Sequence, residues 1–155
     1  MPQPRGYSLA EVLIVVGIIG VLSTLAIAIP SRFVRQARQA EATAFLSAIA
    51  VKEENFQAHF GRYLAAPANP AALPQHGDRL PWDDSDPAWR RLGANPRKGQ
   101  VYFQYRVVSG LDAPCNDPVP CVGVSSRRWW WAEARNGDAT LYINSASLQP
   151  WLHQD

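Results

Sequence analysis

Arg5-Gly6-Tyr7-Ser8-Leu9-Ala10-Glu11 runs directly into an apolar stretch, Val12 to Ile29, and the rest of the chain is read outward from that junction. The stretch holds 18 uncharged residues, with Ser23 and Thr24 as its polar breaks. As a helix it is roughly 27 Å long, just enough to cross a hydrocarbon core. It does not read as an ordinary secretory signal. The segment ahead of it is very short, Gly6 stands at the junction, and no small-residue cleavage site follows the run. A carboxylate, Glu11, sits at the fifth position after that glycine. An ionised carboxylate in lipid is costly and should seek a cation.

The pattern of Gly6, Tyr7, Leu9 and Glu11 ahead of an apolar tail resembles the class III leader of type IV pilins and related pseudopilins. The resemblance implies a prepilin peptidase that cuts after Gly6, discards Met1 to Gly6 and methylates the new amino terminus on Tyr7. It also implies that Glu11 supports methylation and helps a subunit join a growing fibre. The free amine of Tyr7, on the same chain or a neighbouring helix, is then the nearest cation for Glu11. The plainer reading places Glu11 near the headgroups, where it favours the positive end of a helix dipole. Charge counting runs against a cytoplasmic N-terminus, because Arg5 precedes the span while Arg32, Arg35 and Arg38 follow it. The leader resemblance alone implies that orientation.

The chain suits one membrane helix plus one modest globular domain. The part beyond Pro30 is long enough to bury about two-thirds of its unfolded surface. A formal charge of +2 neither demands nor excludes nucleic acid or acidic surfaces as partners. Two cysteines in an exported domain most simply mean one disulfide.

Ser31 to Phe60 contains no Gly and no Pro, and Phe45, Ile49, Phe56 and Phe60 recur at helical spacing. Ala44, Ala48 and Val51 extend that face, and Gly61 suits a helix end. Ser8 to Phe60 therefore predicts one long helix of about 80 Å, apolar all round in its first half and amphipathic in its second, with Pro30 bending it. Residues 62 to 99 are rich in Pro and predict a long ordered loop. Within it Asp86, Pro87 and Gly93 frame a short helix from Pro87 to Leu92, and Trp82, Trp89 and Leu92 pin the loop to a sheet. Asp83, Asp84 and Asp86 lack the alternating ligands and glycine of a calcium loop and read as a solvated capping cluster.

Alternation predicts strands at Gln100 to Ser109, Arg127 to Arg135 and, after the turn Asn136-Gly137-Asp138, Ala139 to Asn144. On the second strand Trp130, Ala132 and Ala134 face the Ala-rich helix. Trp129 and Trp131 face the other way, packed under Ser147 to Trp151 or under the Pro-rich loop. An aromatic patch for a neighbouring subunit, a surface or single-stranded DNA is the alternative. Cys115 and Cys121 bracket a short loop and read as a disulfide, since His59, His76 and His153 offer no metal-ligand spacing. No phosphate loop, nucleophile elbow or histidine-based metal motif appears, so no catalytic residue, metal or cofactor is assigned.

Helix, loop and meander in this order again resemble type IV pilins, as does Trp89 to Gly93 followed by Val101 to Tyr105. The expected fold is α+β, a long N-terminal helix with a membrane-spanning first half, packed on a three- to four-stranded antiparallel sheet. The expected segments are a leader, 1–6, an assembly half-helix, 7–30, and a head, 31–155. The resemblance implies a filament subunit held in the bacterial inner membrane, then assembled into an extracellular pilus or a periplasmic pseudopilus. Its partners would be other pilin subunits, prepilin peptidase and an inner-membrane assembly platform. A type II secretion pseudopilin and a single-pass anchored periplasmic binding domain are the competing readings.

Overall fold

The computed structural model describes residues 7–28, 30–75, 77–96, 99–111, 114–116, 120–124 and 128–153, with the side chains of 25–31 left out. The chain divides into two compact units, Met1–Arg38 and Gln39–Asp155.

The first unit is helical. Helix α1 spans Leu9–Ala28, and α2, Pro30–Phe60, begins in this unit and continues into the second. Pro30 opens α2, a position where its missing N–H costs nothing. Ile29, the joint between the helices, lies outside the described residues, and so does the bend expected at Pro30.

In the second unit α2 packs by the stripe Ala42, Leu46, Ile49, Glu53 and Phe56, which recurs every three to four residues and is buried. The expected face is rotated slightly from this one. Ile49 and Phe56 are buried and Phe45 is half-buried, whereas Phe60 is 65% exposed, with ring contacts to Phe56 and His59. Ala44, Ala48 and Val51 are exposed. Leu46 takes the centre of the stripe with Ala42 and Ala50 buried beside it, and Ala44 and Ala48 fall outward.

The sheet is larger than the three or four strands expected. Strands β1 (Ala66–Asn69), β4 (Gln104–Leu111), β5 (Arg128–Arg135), β6 (Thr140–Asn144) and β7 (Ser147–His153) form a five-stranded antiparallel sheet in that order. Strands β2 (Leu80–Pro81) and β3 (Gln100–Val101) form a separate two-stranded piece. The single strand expected from Gln100 to Ser109 is thus broken at Tyr102-Phe103, and its two ends pair in different sheets. The side-chain alternation survives the break: Val101, Phe103, Tyr105 and Val107 are all buried. Strand β1 comes from the Pro-rich segment and β7 carries Pro150. Both lie at sheet edges, where a residue without an N–H is tolerated.

The short helix α3, Pro87–Leu92, forms as its framing residues require. The Asp86 carboxylate accepts from the N–H groups of Ala88 and Trp89, and Gly93 closes the helix at φ 68°. Trp82, Trp89 and Leu92 are buried, and the Trp89 indole donates to the Pro67 carbonyl at 2.9 Å. Phe45 meets Trp82 and Tyr105 edge-on, so the aromatic rings tie the loop to helix and sheet together.

Candidate functional site

The residues singled out at the N-terminus stand at the start of α1. Met1 to Gly6 lie outside the described residues, so the cleavage residue Gly6 has no structural account. Tyr7 is 83% exposed and precedes the helix. Ser8 caps it: its hydroxyl and its carbonyl both accept from the Glu11 N–H, at 3.2 and 3.1 Å. Ser8 and Glu11 thus hold the N-cap and N3 positions of a capping-box sequence, a pattern in which serine satisfies an otherwise orphaned donor. The sequence Ser-x-x-Glu carries that signal, and reading the segment for its leader alone passes over it. The Glu11 carboxylate lies in the first turn, where the helix dipole favours negative charge.

Behind Glu11 the helix is apolar on every side. Val12, Leu13, Ile14, Val15, Val16, Ile18, Ile19, Val21 and Leu22 are all exposed, as is Leu9 ahead of it. A helix apolar all round has no inward face and requires an apolar surrounding. Its two hydroxyls fit such a surrounding, because each is spent on the helix itself. Ser23 donates to the Ile19 carbonyl and Thr24 to the Val21 carbonyl, both at 2.7 Å. The side chains described in α1 end at Thr24, and among the described residues no helix is long and apolar enough to cross a membrane.

The second unit holds the other singled-out residues. Cys115 and Cys121 form a disulfide with Cα atoms 5.7 Å apart. The loop they close is held to the sheet by Asn144, which sequence reasoning missed. Its buried amide donates to the carbonyls of Pro120 and Val122 and accepts from the N–H groups of Ala146 and Ser147. One side chain therefore fixes the loop and the β6–β7 turn at once.

The tryptophans divide between faces as expected. Trp130, Ala132 and Ala134 are fully buried on the helix side, and the Trp130 indole donates to Glu54 on α2 at 3.1 Å. Trp131 is buried on the opposite side, between the Arg106 guanidinium and the Tyr142 ring, and Tyr142 meets Trp151 on β7. The C-terminal segment thus takes part in this packing as a strand. Trp129 is half-buried and lies across Gly110, its partner on β4, where any side chain would collide with the indole. Glu133, on the same side as Trp131, is buried and paired with Arg106 at 3.0 Å. The outer face is a ladder of packed aromatic and charged side chains. Asp83 spends its carboxylate on the N–H and hydroxyl of Ser85, and these bonds hold its carboxyl below the usual carboxylate range.

Comparison with known proteins bears on the first of these sites. Residues 1–27 match the family described as the prokaryotic N-terminal methylation motif. Over 78 residues the chain is 33% identical to the type IV major pilin protein PilA of Myxococcus xanthus (strain DK1622). That match covers 50% of this chain and 36% of the relative's length. No solved structure matches significantly. The chain thus carries a prokaryotic N-terminal methylation motif and is similar, over half its length, to a type IV major pilin.

Proposed function

We propose that the chain is a structural subunit of a type IV pilus or a related filament. The observation that carries this reading is a helix exposed and apolar on every face that lies almost wholly within a prokaryotic N-terminal methylation motif. Such a helix needs either lipid or other helices around it, and a filament subunit exchanges the first for the second. In the inner membrane Val12 to Ile29 spans the bilayer, with the N-terminus in the cytoplasm and the head outside. Prepilin peptidase removes Met1 to Gly6 and methylates the Tyr7 amine. The assembly platform then lifts the subunit so that its helix packs among those of its neighbours. The Glu11 carboxylate meets an amine there, which hydrocarbon cannot supply. The role is structural rather than enzymatic.

Mass spectrometry of protein from a strain with active peptidase tests the processing step. The mature chain is expected to begin at Tyr7 and to carry one added methyl. A chain that keeps Met1 under those conditions overturns the reading.

A further inference from the structure

Glu53 occupies a core position on α2, between Ile49 and Phe56, and is 0% exposed. A carboxyl at such a position must be held by donors or stay neutral. One oxygen, Oε2, accepts from the Leu64 N–H at 3.0 Å. The other, Oε1, is buried and has no hydrogen-bond partner. The next residue, Glu54, adds a second carboxylate beside it. Glu54 accepts from the Trp130 indole and from the Tyr63 hydroxyl, at 3.1 and 3.3 Å. Tyr63, in the turn after α2, lies close enough to feel both carboxylates and also the Arg128 charge on β5. Arg128 donates to the Gly61 carbonyl at 2.9 Å, at the start of the same turn. Residues Gly61 to Leu64 are therefore fastened by Arg128 at one end and by Glu53 at the other.

We propose that Glu53 is a proton-operated latch: neutral, its carboxyl holds the Gly61–Leu64 turn against the end of α2, and ionised, it opens that turn to water. The ionised form leaves a bare charged oxygen in the core beside Glu54, and opening the turn hydrates both carboxylates. Burial is the main cause that raises the Glu53 carboxyl from its ordinary 4.5 to about 7. The Leu64 N–H opposes the rise and the Glu54 charge adds to it. The closed turn thus binds the proton more tightly than the open one. Its stabilisation is fully present below pH 4.5 and is lost as pH rises through about 7.

The test is hydrogen exchange at the Leu64 amide, followed by NMR on the full chain in detergent micelles and expressed as a protection factor. Protection is expected to fall about tenfold per pH unit between pH 5 and 7 and to level off above. Glu53→Gln keeps an acceptor for Leu64 and cannot ionise, so its protection should stay flat over the same range. A second measurement follows the Glu53 carboxyl carbon shift in the unsubstituted chain, which stands even if the variant folds poorly. A midpoint near 7 supports the latch. A midpoint in the ordinary glutamate range overturns it, as does Leu64 protection that ignores pH or changes equally in Glu53→Gln.

Discussion

Asn144 sits opposite Trp131 on the outer face of the sheet, a side where β6 would normally meet solvent. It is fully buried, and its amide capacity is divided between the carbonyls of Pro120 and Val122 and the N–H groups of the β6–β7 turn. Asn144→Ala removes these bonds and leaves two carbonyls and two N–H groups without the partner they fold onto. The expected cost is roughly 2–4 kcal/mol, since orphaned groups cost more than a typical bond gains. Asn144→Asp keeps the acceptor for Ala146 and Ser147 but sets a carboxylate against the carbonyls of Pro120 and Val122. Both variants should melt earlier and be cleaved sooner between Cys115 and Val124 under limited proteolysis. Unchanged melting and cleavage in both would contradict the stapling role. The sequence hides this residue, because an Asn just after Leu141-Tyr142-Ile143 reads as a strand end going into a turn. Asp86 is the opposite case, its role legible because the cap, the proline and the closing glycine are all local.

At the scale of elements, local signals carried the short helix and the inward face of the second strand, whereas long-range pairing decided the rest. The alternation of Val101, Phe103, Tyr105 and Val107 marks one buried face without revealing that the backbone changes sheets at Tyr102-Phe103. Strands β1 and β7 escaped because Pro67 and Pro150 argue against a central strand, and an edge is defined only by what lies next to it. On α2 the aromatic spacing points to Phe60, whereas the helix lies on the sheet by Leu46, Ile49 and Glu53, and a buried glutamate is something that periodicity does not anticipate. The disulfide is an element-scale device too. In the chain-entropy picture, closing so short a loop stabilises by roughly 2–2.5 kcal/mol. Replacing both Cys115 and Cys121 with Ser should lower stability by about that much while the sheet stays intact. Thermal unfolding with and without reductant checks it: the unsubstituted chain should lose stability on reduction, and the double variant should not respond. Equal stability of the two forms would remove the disulfide from the account.

For the molecule as a whole, the N-terminal methylation motif is the most legible part, because its signals lie in consecutive residues. What the helix does depends on Glu11, and that can be decided by substitution. Replacing Glu11 with Val removes a charge that is costly wherever it meets hydrocarbon, so membrane insertion should be unharmed or improved. Cleavage after Gly6 should continue, since the scissile glycine is untouched. The Ser8 cap should also persist, because it engages the backbone N–H of residue 11 and not its side chain. A plain membrane anchor would therefore tolerate the change. A filament subunit would not. Among packed helices the Tyr7 amine would lose its counter-charge, and an unpaired ammonium buried in apolar surroundings carries a penalty of several kcal/mol. The expected result is processed protein retained in the membrane fraction and missing from sheared filaments, compared with unsubstituted protein at matched expression. Equal recovery of both proteins in the sheared fraction would rule out the assembly role of Glu11. Glu11→Asp should recover in part, because the shorter carboxylate keeps the charge but reaches less far towards the amine.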